Sequence, residues 1–146
     1  MFFAYGIKKL ANAQAQASDS INRTLISDTA KYALLYIYRP NVYQGAIIGY
    51  KIHLGKDSII CRAKNNSKYI VKLYEEGPTD IWGATESRST VSPDIKFGHT
   101  YFIRCAIKMG AFVGEPSLTL MDTYKGLSEF NDINFKPKKD DKDSAN

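Results

Sequence analysis

The chain of 146 residues has few of the residue types that mark a metal site or a disulfide framework. It holds two cysteines and two histidines, and neither His53 nor His99 stands at ligand spacing from a cysteine. No zinc site and no cofactor are therefore expected. Cys61 and Cys105 lie inside apolar, strand-like runs, and two cysteines in a chain this long are not a framework. We predict two buried free thiols, with a disulfide between neighbouring strands as the alternative.

Long apolar runs are absent as well. No stretch of roughly 18 apolar residues occurs, which excludes a transmembrane helix in the chain as given. The chain starts with a short apolar stretch that Lys8 and Lys9 interrupt, whereas a signal peptide places its positive charge first. No cysteine near the start offers a lipidation site. We expect either that the protein is not exported by means of a signal peptide or that its biological start differs from residue 1.

Positive charge is in excess but is not concentrated. The 20 Lys and Arg residues against 15 Asp and Glu residues give a net charge of +5. No segment holds a basic cluster of the kind that binds a phosphate backbone, so nucleic acid is not an expected partner. An excess of this size favours anionic neighbours such as lipid headgroups or cell-wall polymers.

The middle of the chain alternates between short apolar runs and turn residues. The run 32–38 is apolar on both faces, as in a buried central strand, and Pro40 ends it. Turns recur about every ten residues, which predicts an all-β fold, an antiparallel two-layer β-sandwich of about 7–8 strands. The core expected within it comprises Leu35, Ile37, Ile52, Ile70, Trp82, Phe102 and Leu120.

The N-terminal extension, residues 1–25, has a helical pattern. Phe3, Ile7 and Leu10 recur at the spacing of one helix face. This face packs on its own domain, docks in the groove of a partner, or lies on a membrane surface. The polar residues 18–28 are typical of a linker.

The β domain is expected over residues 31–130. The segment 124–132 is predicted to add a short helix to it. The tail, residues 136–146, is highly charged and is expected to be disordered.

No catalytic constellation is evident in the sequence. A serine hydrolase needs a nucleophile, a histidine base and an orienting carboxylate, but His99 falls in a predicted turn and His53 alternates along a strand. Glu75 and Glu76 are adjacent in a turn and would point apart. The glycines are scattered, without a phosphate-binding loop. We expect no enzyme and assign no catalytic or metal-binding residue.

One connection between predicted strands is unusually apolar. Where polar residues would be normal, the chain carries Phe112 and Val113. They either plug one end of the sandwich or form an exposed contact point for a partner. The candidate partner-binding residues are therefore Phe3, Ile7, Leu10, Phe112 and Val113.

Aromatic residues outside the expected core offer a second possibility. Tyr43 follows Pro40 in a loop and could meet a partner or stack on a sugar ring. The candidate sugar-stacking residues are Tyr43, Trp82 and Tyr124.

Three segments are distinctive in combination: Tyr38-Arg39-Pro40 at the end of the first strand, residues 98–104 entering a late strand, and residues 109–114 before Leu118-Thr119-Leu120. Over roughly residues 31–130, the chain resembles the domain of unknown function 2846 family. That resemblance implies a small bacterial cell-envelope β-sandwich similar to carbohydrate-active accessory domains. It implies no catalytic residues. Many members are attached to lipoprotein signals, and this chain lacks their lipidated N-terminal cysteine.

These observations predict a non-catalytic interaction module, an accessory or structural subunit of a bacterial cell-envelope protein assembly. The alternative is a carbohydrate or cell-wall binding module. The expected partners are other envelope proteins, with a membrane surface as a further option. The expected location is the periplasmic side of the envelope, with the cytoplasm as the alternative.

Overall fold

The computed structural model describes residue 13, residues 16–17, residues 19–110 and residues 113–134. Within them the fold is mostly β, as predicted, and it has a helix near each end. The first helix, α1, includes the helical residues 19–25. The later elements are β1 (Ala33–Arg39), β2 (Tyr50–Leu54), β3 (Ser58–Ala63), β4 (Ser67–Leu73), β5 (Gly77–Pro78), β6 (Ile81–Ala84), β7 (Arg88–Val91), β8 (Asp94–Ile95), β9 (Thr100–Met109), β10 (Gly114–Met121) and α2 (Thr123–Asn131).

Most of the strands form two four-stranded sheets. The first sheet has the order β10-β9-β1-β4, and the second has the order β3-β2-β6-β7. The second sheet is antiparallel throughout, but β1 pairs in parallel with β9 in the first. The prediction of a purely antiparallel fold is therefore wrong. Strands far apart in sequence are not joined by a hairpin, so their pairing direction is not set by a local turn.

Strand β1 is buried along its whole length because it lies between β4 and β9 and is covered on both faces. Leu35 and Ile37 belong to the larger buried cluster, which draws side chains from both four-stranded sheets. Tyr36 and Tyr38 belong to a second cluster on the opposite face. There, the ring of Phe130 in α2 lies 5.0 Å from the ring of Tyr36. The prediction of a buried central strand is confirmed.

Three of the predicted core residues lie elsewhere. Ile70 is 54% exposed because it lies on the edge strand β4. Leu120 is exposed near the end of β10, which is also an edge strand. Trp82 is only half-buried, because its neighbours Ile81 and Gly83 occupy the buried face of β6. The other predicted core residues are buried, and they are Leu35, Ile37, Ile52 and Phe102.

The segment expected to be a linker is helical over residues 19–25 and is bonded to the β domain. The side-chain oxygen of Asn22 accepts hydrogen bonds from the backbone N–H of Thr100 at 2.9 Å and from its hydroxyl at 2.8 Å. The amide nitrogen of Asn22 donates to the carbonyl oxygen of Gly98 at 3.2 Å. Just beyond, Ile26 is buried in the second cluster. The end of α1 therefore packs as part of the β domain.

The short helix predicted near the C-terminus is present as α2. It begins after Asp122, whose side chain accepts a hydrogen bond from the backbone N–H of Lys125 at 2.9 Å. Gly126 lies directly on β9, since a Cβ atom there would be 2.6 Å from the Cβ atom of Phe102. The missing side chain allows α2 to approach the sheet closely. The charged tail, residues 136–146, lies outside the described residues.

Candidate functional site

The two thiols are free and buried, as predicted. Cys61 and Cys105 belong to the larger buried cluster. Burial raises the pKa of the Cys105 thiol to about 12 and raises the pKa of the Cys61 thiol well above its usual value. Because the thiolate is the reactive form, neither sulfur is prepared to act as a nucleophile at neutral pH.

The two histidines lie in different parts of the fold, and His53 belongs to β2. His99 is exposed in the turn before β9. Burial, followed by the nearby charges of Arg88 and Lys51, lowers the pKa of His53. Within the described ranges, no group of three or more His, Cys, Asp or Glu residues could hold a metal ion.

Trp82 is held in place on the second sheet by three neighbours. Its indole N–H donates a 2.7 Å hydrogen bond to the carbonyl oxygen of Gly55. The ring of His53 stacks on it at 3.9 Å with an interplanar angle of 6°. The guanidinium carbon of Arg88 lies 3.6 Å from the ring centroid. Because β6 lies between β2 and β7, His53 and Arg88 cover opposite faces of the indole, and a sugar could meet only its edge.

A cleft with a volume of about 850 Å³ opens beside Trp82. Its walls come from the β2–β3 turn, the end of β4, the approach to β6, and β7. Three cations and two carboxylates line it, namely Lys56, Lys72, Arg88, Glu75 and Asp80. The cleft thus combines an aromatic wall with charges of both signs.

Tyr74 adds an accessible aromatic ring to this cleft. It follows the last residue of β4 and is 68% exposed. We did not predict it, and neither did we predict the charged residues of the cleft. The only local signal is an aromatic residue placed between a strand and a Glu-Glu-Gly-Pro turn, residues 75–78.

A second surface lies on the loop after β1 and the turn between β9 and β10. Five large apolar side chains are exposed there, and Tyr43 and Ile47 are each 99% exposed. We call this set the apolar loop surface, and its members are Val42, Tyr43, Ile47, Met109 and Val113. Val113 was a predicted contact residue, whereas the predicted contacts Phe3, Ile7, Leu10 and Phe112 lie outside the described residues.

The two segments that carry the apolar loop surface lie against each other. A Cβ atom on Gly114, the first residue of β10, would be 2.5 Å from Cδ1 of Ile48. Gly45 has a positive φ of +75°, and a Cβ atom there would be 2.7 Å from Cγ2 of Ile107. The loop residues 40–49 therefore pack on the base of the β9–β10 hairpin.

Arg39 fixes this loop from the inside. It is a buried residue at the end of β1, and its guanidinium donates to three backbone carbonyls. Nη2 donates to Gly45 at 2.8 Å, while Nη1 donates to Ala63 at 3.0 Å and also to Ile48. The loop backbone is thus bonded to a buried side chain although the apolar side chains of the loop face water.

The three aromatic residues predicted to stack on sugars are not brought together. Tyr43 lies on the apolar loop surface and Trp82 lies on the second sheet. Tyr124 is exposed on α2, which packs against the first sheet. These three residues therefore do not form a row of aromatic side chains on one sheet face.

Neither helix, within the part of the chain that the structure describes, is long and apolar enough to cross a membrane. Comparisons with protein-family models, curated proteins and solved structures found no match to this chain.

Proposed function

We propose that the protein is a non-catalytic interaction module that binds another protein through the apolar loop surface. The observation that supports this most directly is the full exposure of Tyr43 and Ile47, each 99% exposed. Clustered large apolar side chains that face water mark contact sites. Because Arg39 holds the loop, a partner meets a preformed surface and little ordering entropy is lost on binding.

We further propose that the two four-stranded sheets are the layers of a β-sandwich. The larger buried cluster supports this, since it takes side chains from both sheets. The proposed role is that of an accessory or structural subunit of a bacterial cell-envelope assembly on the periplasmic side. The support for this setting is the sequence resemblance over residues 31–130. In this proposal the N-terminal face of Phe3, Ile7 and Leu10 is a second attachment point.

The test replaces exposed apolar residues on the loop and compares them with a matched pair elsewhere. The double variant Tyr43→Ser/Ile47→Ser removes the centre of the apolar loop surface. The control Tyr124→Ser/Ile70→Ser removes the same two residue types from exposed positions on α2 and β4. Each full-length variant is expressed in the native cells, cross-linked, captured and analysed by mass spectrometry.

We expect the loop variant to lose proteins that the control variant and the unmodified protein retain, with the unfolding midpoints of all three nearly equal. The physical reason is that a few central apolar residues provide most of the energy of an interface. If both variants capture the same proteins in the same amounts, binding does not use this surface and the proposal is wrong.

A carbohydrate or cell-wall binding module is the second candidate function. The observation that favours it is the cleft beside Trp82, with the exposed ring of Tyr74 at its rim. Glycan sites commonly combine an aromatic platform with polar side chains that fix orientation. This candidate uses different residues from the apolar loop surface and does not exclude the first.

A further inference from the structure

We propose that the cleft beside Trp82 binds an acidic glycan, a hydroxyl-rich chain that carries carboxylate or phosphate groups at intervals. In this site Tyr74 stacks on a sugar ring. Lys56, Lys72 and Arg88 bind the acid groups. The inference deepens the second candidate function and does not rest on the apolar loop surface, so either proposal can fail alone.

Two of the three cations of the cleft lie over aromatic rings. Nζ of Lys72 lies 4.7 Å from the ring centroid of Tyr32, and Arg88 lies over Trp82. A ring holds a cation in place without cancelling its charge, as a carboxylate would. The ion pair found in the described part of the chain joins Arg104 to Glu129 and includes none of the three cations.

Arg88 is the best oriented of these cations. One face of its guanidinium lies on the indole of Trp82 at 3.6 Å. The indole is itself fixed by its hydrogen bond to Gly55 and by its stacking on His53. The planar fork of an arginine held in this way can donate two parallel hydrogen bonds to a carboxylate or phosphate.

The two carboxylates of the cleft favour a glycan over a polymer with closely spaced negative charges, such as a nucleic acid. Glu75 and Asp80 line the same cleft, and Asp80 is oriented by a 2.6 Å hydrogen bond from the hydroxyl of Ser92. Carboxylates accept hydrogen bonds from sugar hydroxyls, but they repel closely spaced phosphates. A ligand with hydroxyls between its acid groups satisfies both kinds of lining residue, whereas a nucleic acid backbone does not.

Tyr74 provides the exposed aromatic ring on which a sugar can stack. Its contact with Tyr32 is tilted, with ring centroids 6.2 Å apart, and the residue stays 68% exposed. An exposed ring can stack on the apolar face of a sugar while its hydroxyl remains in water. Ser58, Thr79 and Thr90 also line the cleft.

Binding can be measured directly because Trp82 is the single tryptophan of the chain. The full chain is titrated at low salt with oligogalacturonate, a sugar chain that carries carboxylates, and separately with a phosphomannan, a mannose chain that carries phosphates at intervals. Maltohexaose serves as the neutral sugar and single-stranded DNA as the continuous polyanion. We expect a saturable change in tryptophan fluorescence with at least one acidic glycan polymer, and the stronger of the two identifies the acid group. A flat response to both, an equal response to maltohexaose, or tighter binding of DNA would overturn the proposal.

Matched variants locate the site by calorimetry and fluorescence. We expect Tyr74→Ala and Lys56→Gln each to weaken binding by roughly tenfold, the value of one good contact to a charged or aromatic group. Tyr43→Ala and Lys51→Gln change the same residue types at exposed positions outside the cleft and should stay close to the unmodified protein. If Lys51→Gln weakens binding as much as Lys56→Gln, the attraction is a general effect of net charge and the site is wrong.

Discussion

Nη2 of Arg39 and the carbonyl oxygen of Gly45 are joined by a 2.8 Å hydrogen bond that links the buried end of β1 to the exposed loop after it. The loop carries Tyr43 and Ile47 into water, yet its backbone is bonded to a residue inside the protein. The stability of the core and the shape of the apolar loop surface therefore depend on the same side chain.

The first prediction concerns Arg39 itself. Arg39→Met keeps the apolar stem but removes the donors to Gly45, Ile48 and Ala63. We expect the free energy of unfolding in urea to fall by about 2–4 kcal/mol, because one buried and two half-buried carbonyls lose their partners. Arg39→Lys should restore only part of this loss, since an ammonium group lacks the planar fork. A lysine variant as stable as the unmodified protein would contradict the proposed bonding.

The second prediction concerns pH and His53. Burial and neighbouring cations lower the pKa of His53 in the folded state below its unfolded value of about 6.5. The folded state therefore binds this proton less readily than the unfolded state. The resulting stability is fully present above about pH 6.5 and is lost as the pH falls through the folded pKa.

Two histidine variants check this dependence in urea unfolding at pH 8 and pH 5. His53→Phe keeps a ring beside Trp82 but cannot titrate, so the drop in stability between the two pH values should become smaller. His99→Asn removes the exposed histidine and should leave that drop in place. A pH dependence that is the same in His53→Phe and the unmodified protein would show that His53 does not contribute.

The third prediction concerns the buried thiols. Because burial raises the pKa values of Cys61 and Cys105, iodoacetamide should leave both unmodified in the folded protein at pH 8 and alkylate both in urea. Replacing both by alanine should cost about 3 kcal/mol at most, mainly as lost packing. Mass spectrometry of the alkylated protein gives the result. Rapid labelling without urea would mean that the cluster around these residues opens easily.

The fourth prediction concerns the contact between α2 and β9. Alanine is a better helix former than glycine by about 1 kcal/mol, yet Gly126→Ala should destabilise the protein by about 1–3 kcal/mol. The added Cβ atom would lie 2.6 Å from Phe102 and would push the helix from the sheet. Ser128→Ala, at an exposed position of the same helix, should be neutral or slightly stabilising. A gain in thermal midpoint for Gly126→Ala would contradict this packing.

Strand β1 shows what a local pattern can and cannot predict. Its apolar residues on both faces indicated a central strand, and Pro40 marked its end, because a proline cannot continue a ladder. The same pattern could not identify β9 as its parallel neighbour, since pairing between distant strands depends on the whole chain. The predicted burial of Ile70 failed for a related reason, because a residue pattern does not tell an edge strand from a central one.

The same limit of local patterns explains which residues of the candidate sites could be predicted and which could not. Val113 was recognisable because apolar residues occurred where a connection is normally polar, and Tyr43 because an aromatic residue followed Pro40 in a loop. Ile47 was not predicted, because it lies in a largely apolar run, residues 46–54, of which only the part from Tyr50 onward is the strand β2. Of the residues that line the cleft beside Trp82, only Trp82 itself was a predicted site residue. The lining residues come from separate parts of the chain, and only the folded sheets bring them together.

The parallel ladder between β1 and β9 also bears on how the chain is synthesised. β1 pairs through residues 34–38 with residues 100–104, which leave the ribosome much later. During that interval β1 has one unpaired edge, and its side chains are apolar on both faces. A nascent chain that ends before β9 therefore lacks the partner of one edge of β1, and this apolar, unpaired edge is open to pairing with a strand of another chain.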